Sequence, residues 1–210
     1  MTGDKEPVPC HVSHVTGYIL AGGRSSRMGR DKALLPVGSR TLIELVMDRL
    51  QPLVDHVEVI GQPRNVQSLE ERLKRKVLTD ITPGRGPLMG VYTGLMQTET
   101  ALNVFLPCDM PWVEGRLVER LLGWCRGQTQ VVASMHPAEG VQPFPLICHV
   151  RACRAIGALL DRKEPSLQAL LRGPHAQVIE IEEPDLWPSF TNVNTLSDYA
   201  KLYDAATLAH

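Results

Sequence analysis

Cysteine pairs are missing from this chain. Its five cysteines stand at 10, 108, 125, 148 and 153, with no CxxC among them. An odd, widely spaced set argues against a zinc site and for reduced thiols in a cytosolic protein. The seven histidines form no ligand-spaced cluster either. Charge excess is missing too. The formal net charge is -1, so bulk electrostatics gives no reason to expect nucleic acid or an anionic membrane as partner. No apolar run approaches the roughly 20 residues that span a bilayer. The opening MTGDKEPVPCHVSH is polar, has two prolines and carries no apolar core of a secretory signal. Residues 1–14 read as a loose tail, and residues 15–204 as one domain in a cytoplasmic protein. Internal repeats and low-complexity segments are absent.

What is present is an alternation of short apolar runs with longer amphipathic ones. Val15–Leu20, Val57–Ile60, Lys76–Leu78, Ala101–Leu106 and Gln130–Ala133 read as strands. Between them, 41–53, 66–74, 88–97 and 114–125 carry helical periodicity. Thr41 reads as an N-cap, with Glu44 as its capping-box partner. This order predicts βαβ units, hence a single-domain, Rossmann-like, three-layer α/β/α fold around a mostly parallel sheet. Beyond residue 135 the order loosens. Pro143 and Pro145 interrupt FPLICHV, which predicts an edge or irregular strand. Helices are expected over 151–161, 166–171 and 195–204, and a strand over 177–181.

The chemistry is concentrated where the first strand ends. Residues 20–35 read LAGGRSSRMGRDKALL. In an open parallel sheet, ligands bind beyond the carboxyl ends of the strands. Gly22 and Gly23 let backbone N–H groups approach an anion closely. Arg24, Arg27 and Lys32 add side-chain charge suited to phosphate. The segment is neither a P-loop, since Gly23 and Gly29 are one residue too far apart and Arg follows, nor a GxGxxG dinucleotide loop. Asp80 and Asp109 each follow a strand and so belong to the same edge. A carboxylate beside a polyphosphate is a natural Mg²⁺ ligand.

LAGGRSSRMGRDKALL resembles the signature LAGGxSxRMGxDKxLL of the molybdenum cofactor guanylyltransferases, within the Rossmann-like nucleotidyltransferases. GPLMGVYTGL at 86–95, FLPCDMPWV at 105–113 and FTNVNTLSDY at 190–199 resemble three further motifs of that family, in order. The resemblance spans about residues 16–202. It implies transfer of GMP from GTP to the terminal phosphate of Mo-molybdopterin with release of pyrophosphate, dependent on Mg²⁺. The N-terminal half would bind nucleotide and the C-terminal half molybdopterin. Proteins that deliver molybdopterin, and acceptor molybdoenzymes or their chaperones, are the implied partners.

By the same resemblance, Leu20, Ala21, Gly22, Gly23, Arg24, Lys32, Asp80 and Asp109 bind the nucleotide. Arg27, Lys32 and Asp109 are catalytic, and Asp109 holds the metal, with Asp80 in secondary support. Pro143, Asn192 and Asn194 would contact molybdopterin. Gly23 fits a purine, because a Cβ there would narrow the base pocket, whereas Gln62 departs from an asparagine that some members carry near guanine. Three alternatives stay open on sequence alone. They are a cytidylyltransferase for the same pterin, a guanylyltransferase for another phosphorylated acceptor such as a lactate-type phosphate of deazaflavin cofactor synthesis, and a non-catalytic nucleotide-binding regulator.

Overall fold

The first strand, β1 (Val15–Ala21), is buried at all seven positions, because helices cover both faces of the sheet it belongs to. Alternate residues serve opposite cores. Val15, Ile19 and Ala21 join one cluster, while Tyr18 and Leu20 join the other. The computed structural model describes residues 14–22 and 31–208, with side chains to 203.

A two-strand ribbon, β2 (Pro36–Val37) and β3 (Arg40–Thr41), leads into α1 (Leu42–Leu50). The expected capping box is there: the Glu44 carboxylate accepts from Thr41 N at 2.6 Å and from Thr41 Oγ1 at 2.7 Å. Then follow β4 (His56–Gly61), α2 (Val66–Leu73), β5 (Leu78–Thr79), α3 (Pro87–Gln97), β6 (Leu102–Pro107) and α4 (Gly115–Trp124). The second half contains β7 (Val131–His136), β8 (Gly140–His149), α5 (Ala152–Leu160), α6 (Leu167–Leu171), β9 (Ala176–Glu180) and α7 (Leu196–Leu208).

The seven-stranded sheet has the order β5-β4-β1-β6-β8-β7-β9. Only β8 runs against the others. Helices α1, α2 and α4 fill one face, and α3, α5 and α6 the other. This is the three-layer architecture expected. The chain steps outward from β1 through β4 to β5, then crosses back to lay β6 on the far side of β1. The order therefore reverses between β1 and β6, which opens a crevice at their carboxyl ends.

The segment around FPLICHV departs from expectation. It is neither an edge strand nor irregular throughout: β8 is ten residues long and lies between β6 and β7. Both prolines fall where regular pairing lapses. Pairing with β6 begins only at Leu146, and pairing with β7 shifts register between Val132 and Ser134. Missing N–H groups cost little there, because no ladder partner awaits them. The short 3-10 turns at Lys32–Leu34 and Pro184–Phe190 and the β2–β3 ribbon were not foreseen. Helix α7 packs on that ribbon, with Val193 and Leu202 meeting Leu35, Val37 and Leu42. Among the described residues no helix is long and apolar enough to cross a membrane.

Helix α3 approaches the sheet closely at Gly94. A Cβ there would lie 2.7 Å from Phe105 Cε1 and 3.2 Å from Tyr18 Cδ1, two rings stacked with centroids 5.0 Å apart. Alanine would gain about 1 kcal/mol of helix propensity, but overpacking costs about 1–3 kcal/mol. Gly94→Ala is therefore expected to lower the midpoint of urea unfolding, and an unchanged midpoint would show that the ring pair yields freely.

Candidate active site

The carboxyl ends of four strands finish nearly flush. Ala21 pairs with Gly61, Leu20 with Pro107, and Gly61 with Thr79. The next residues along each strand, Gly22, Gln62, Asp80 and the pair Cys108-Asp109, line one cleft of about 930 Å³. That volume suits a small-molecule site. Lys32, Phe144, Asn192 and Asn194 line it as well.

The charged centre of the cleft joins three distant parts of the chain. Lys32 Nζ donates to Asp109 Oδ2 at 2.6 Å and to Asn194 Oδ1 at 2.9 Å. Lys32 opens a one-turn 3-10 helix whose N-cap, Asp31, accepts from Ala33 N at 3.0 Å. The Asp109 carbonyl accepts from Val193 N at 2.9 Å, which straps the C-terminal segment to the end of β6. Val193 is fully buried while Asn192 and Asn194 line the cleft, the alternation expected of an extended segment. Asn192 also donates to Phe190 O at 3.4 Å.

The other oxygen of that carboxylate, Asp109 Oδ1, is buried and has no hydrogen-bond partner. A buried, unpartnered carboxylate oxygen on a residue that lines the cleft suits a hard cation, for which one carboxylate plus substrate phosphate and water can suffice. Among the described residues no group of three or more His, Cys, Asp or Glu could hold a metal, so such an ion would depend on substrate oxygens. Cys108 is not a rival ligand. Burial first, and the neighbouring Asp109 charge second, push its thiol pKa well upward.

At the opposite end of the cleft, Asp80 is buried and both its oxygens are engaged. Oδ1 accepts from Thr93 Oγ1 at 3.1 Å, and Oδ2 accepts from Gln62 Nε2. Gln62 Oε1 in turn accepts from Gly84 N at 3.2 Å. A Cβ on Gly22 would come 2.9 Å from Gln62 Nε2, so this glycine makes room for the amide. Burial raises the Asp80 pKa, and the Thr93 and Gln62 bonds only partly oppose it. Strands β4 and β1 separate Asp80 from the strand that carries Asp109. At about 4.8 Å per strand, that is about 14 Å. The structure does not bring Asp80 to Asp109, contrary to its expected support at the metal.

Gly23, Arg24 and Arg27 lie outside the described residues. Leu20, Ala21, Gly22, Lys32, Asp80, Asp109, Asn192 and Asn194 all share the cleft. Pro143 does not line it, whereas its neighbour Phe144 does. Sequence reasoning missed Asn65, Asp31 and Thr93. Asn65 precedes α2 and reads as an ordinary helix cap, yet its side chain makes no cap bond. It donates instead to Ala21 O and Asp31 Oδ2, each at 2.7 Å.

A family model described as a MobA-like NTP transferase domain matches residues 17–179. A molybdenum cofactor guanylyltransferase of Yersinia pestis (strain Pestoides F) is 36% identical over 188 residues, 88% of this chain and 93% of the relative. This chain belongs to the molybdenum cofactor guanylyltransferase family. It is a nucleotidyltransferase. The fold agrees with solved structures. Molybdopterin-guanine dinucleotide biosynthesis protein A from Archaeoglobus fulgidus superposes with a TM-score of 0.75 at 19% identity, covering 92% of this chain and 99% of that one. A manganese complex of a Mycobacterium tuberculosis H37Rv protein superposes with a TM-score of 0.66 at 18% identity, covering 92% and 100%. In this nucleotidyltransferase the cleft at the β1/β6 reversal is therefore the candidate active site.

The Asp80 environment predicts a pH dependence. A raised carboxyl pKa means that the folded protein holds this proton more tightly than the unfolded chain does. The resulting stability is fully present below the ordinary value of 3.8 and is lost as pH rises through the raised folded value. Asp80→Asn lacks this titration, so wild type should lose stability relative to the variant between about pH 4 and pH 7. Urea unfolding at both pH values checks this, and a constant difference would contradict it.

Proposed function

We propose that the chain transfers GMP from GTP to the terminal phosphate of Mo-molybdopterin, forming the guanine dinucleotide cofactor and pyrophosphate. The observation that carries this reading is the Lys32–Asp109 pair with its unpartnered Asp109 Oδ1. It stands at the strand-order reversal, in a chain 36% identical to a molybdenum cofactor guanylyltransferase. An oxygen of the acceptor phosphate attacks the α-phosphorus of GTP. The bond from that phosphorus to the α,β-bridging oxygen breaks, and pyrophosphate leaves with the electron pair. The nucleophile is already an anion, so no general base is needed. The obstacle is repulsion between phosphates, met by alignment and positive charge.

Asp109 would hold Mg²⁺ through Oδ1, and the manganese-bound neighbour supports a divalent ion. When bound, the ion neutralises charge on the polyphosphate. Lys32 adds a positive charge at the same point. Arg27 joins it in stabilising the leaving group, and Arg24 binds the triphosphate, on the strength of the sequence motif alone. Leu20, Ala21 and Gly22, and by the motif Gly23, meet the base and ribose where β1 ends, with Asp80 and Gln62 beyond them. The acceptor lies on the other side of Asp109, towards Asn192, Asn194 and Phe144. This order follows the sheet: β5 and β4 carry the base end, β1 the phosphate loop, β6 the metal carboxylate and β8 the acceptor end. Pro143 acts only indirectly, by shaping the break in pairing that presents Phe144. Proteins that deliver molybdopterin and receive the product complete the reading, in the cytoplasm.

The test is pyrophosphate release with Mg²⁺ and molybdenum-loaded molybdopterin. Wild type should release it with GTP and not with CTP. Removing the metal carboxylate in Asp109→Ala should slow turnover by about 10²–10³-fold. Release with CTP would convert the reading to a cytidylyltransferase. Tight GTP binding without release would point to another acceptor or to a regulator.

A further inference from the structure

The amide of Asn65 bridges the end of β1 to Asp31. It is 5% exposed and uses both of its donor hydrogens and one acceptor lone pair. Nδ2 donates to Ala21 O, the last carbonyl of β1, and to Asp31 Oδ2, each at 2.7 Å. Oδ1 accepts from Gln62 N at 2.8 Å. One nitrogen thus ties together the two ends of the segment that starts after Ala21 and returns at Asp31. Asp31 passes the constraint on, because its other oxygen caps the turn that carries Lys32. At the far end of that path Lys32 Nζ meets Asp109.

We propose that Asn65 is a positioning residue for Lys32. It sets the separation of Ala21 and Asp31 and, through Asp31, the place of Lys32. Asn65 touches no substrate in this scheme. Its contribution is that Lys32 is held in place for a polyphosphate rather than having to be ordered by it. This rests on the phosphate-transfer reading above, but not on the identity of the base.

Polarity makes the idea testable. Asn65→Asp removes both donors and sets a carboxylate against Asp31 and the Ala21 carbonyl. Asp31→Asn sets an amide against an amide, at a half-exposed position that folding tolerates more readily. The exchange Asn65→Asp with Asp31→Asn restores a donor–acceptor pair between 65 and 31 and keeps the acceptors for Gln62 N and Ala33 N, but it leaves the new carboxylate facing the Ala21 carbonyl. The probe is Mg²⁺-pyrophosphate, titrated calorimetrically into the full-length protein. Each single variant should bind it about tenfold or more weakly, and the exchange should recover part of that loss, binding about threefold or more tightly than the weaker single variant. In a Lys32→Ala background, Asn65→Asp should cost little further affinity while still lowering the unfolding temperature.

An exchange variant no better than the weaker single variant would overturn the proposal. So would the same fold-loss with and without Lys32, which would mean a structural role alone. GTP titrated in parallel separates this from the assigned reaction. A wild type that binds pyrophosphate but not GTP would sink the guanylyl reading, while the pyrophosphate ratios would still decide the role of Asn65.

Discussion

Everything in the cleft depends on the pairing of β1 with β4 on one side and β6 on the other. Both pairings are parallel, and both end at nearly the same level. The strand is buried on both faces, so a slip of one residue would send its whole apolar set to the wrong cores. That penalty pins the register, and the register decides which residues emerge at the edge. Gly22, Gln62 and Asp109 face one another because of it. Cys108 N donating to Leu20 O at 3.1 Å extends the same ladder one step into the site.

The site is built from opposed charges held before any substrate arrives. Lys32 and Asp109 neutralise each other at 2.6 Å, and the leftover carboxylate oxygen is turned inward. On the proposed reading, such an arrangement would need little reorganisation for polyphosphate and cation, since each would meet a partner of opposite sign already in place. At the other end a buried carboxylate is held by neutral donors only, from Thr93 and Gln62. Burial keeps its pKa raised, and the neutral donors, which satisfy its oxygens without cancelling its charge, only partly oppose that. Two aspartates after two strands thus have different characters, set by a lysine beside one and amide and hydroxyl donors beside the other.

The second half of the chain serves this frame in a less regular way. The antiparallel β8 lies inside the sheet, and its two prolines sit where regular pairing fails. There the chain leaves the ladder, and Phe144 reaches the cleft. The C-terminal segment is held by Val193, whose side chain joins the small core under α7 and whose N–H reaches Asp109 O. Burial of one valine thereby sets the direction of Asn192 and Asn194.

By itself the sequence determined the alternation of strands and helices, the capped start of α1 and the family. It also determined which residues lie at strand ends, because a periodicity of two or of 3.6 and a glycine-rich turn are local properties. Tertiary structure alone decided that β8 is internal, since strand order depends on which apolar faces find each other across the sheet. It alone set Asp80 apart from Asp109, because both follow strands and only the sheet order gives their separation. It also turned Asn65 away from its own helix. An asparagine at that point in the sequence can cap a helix or bridge to another segment. The choice fell to Ala21 and Asp31, 44 and 34 residues away, which offer a buried carbonyl and a partly buried carboxylate as acceptors.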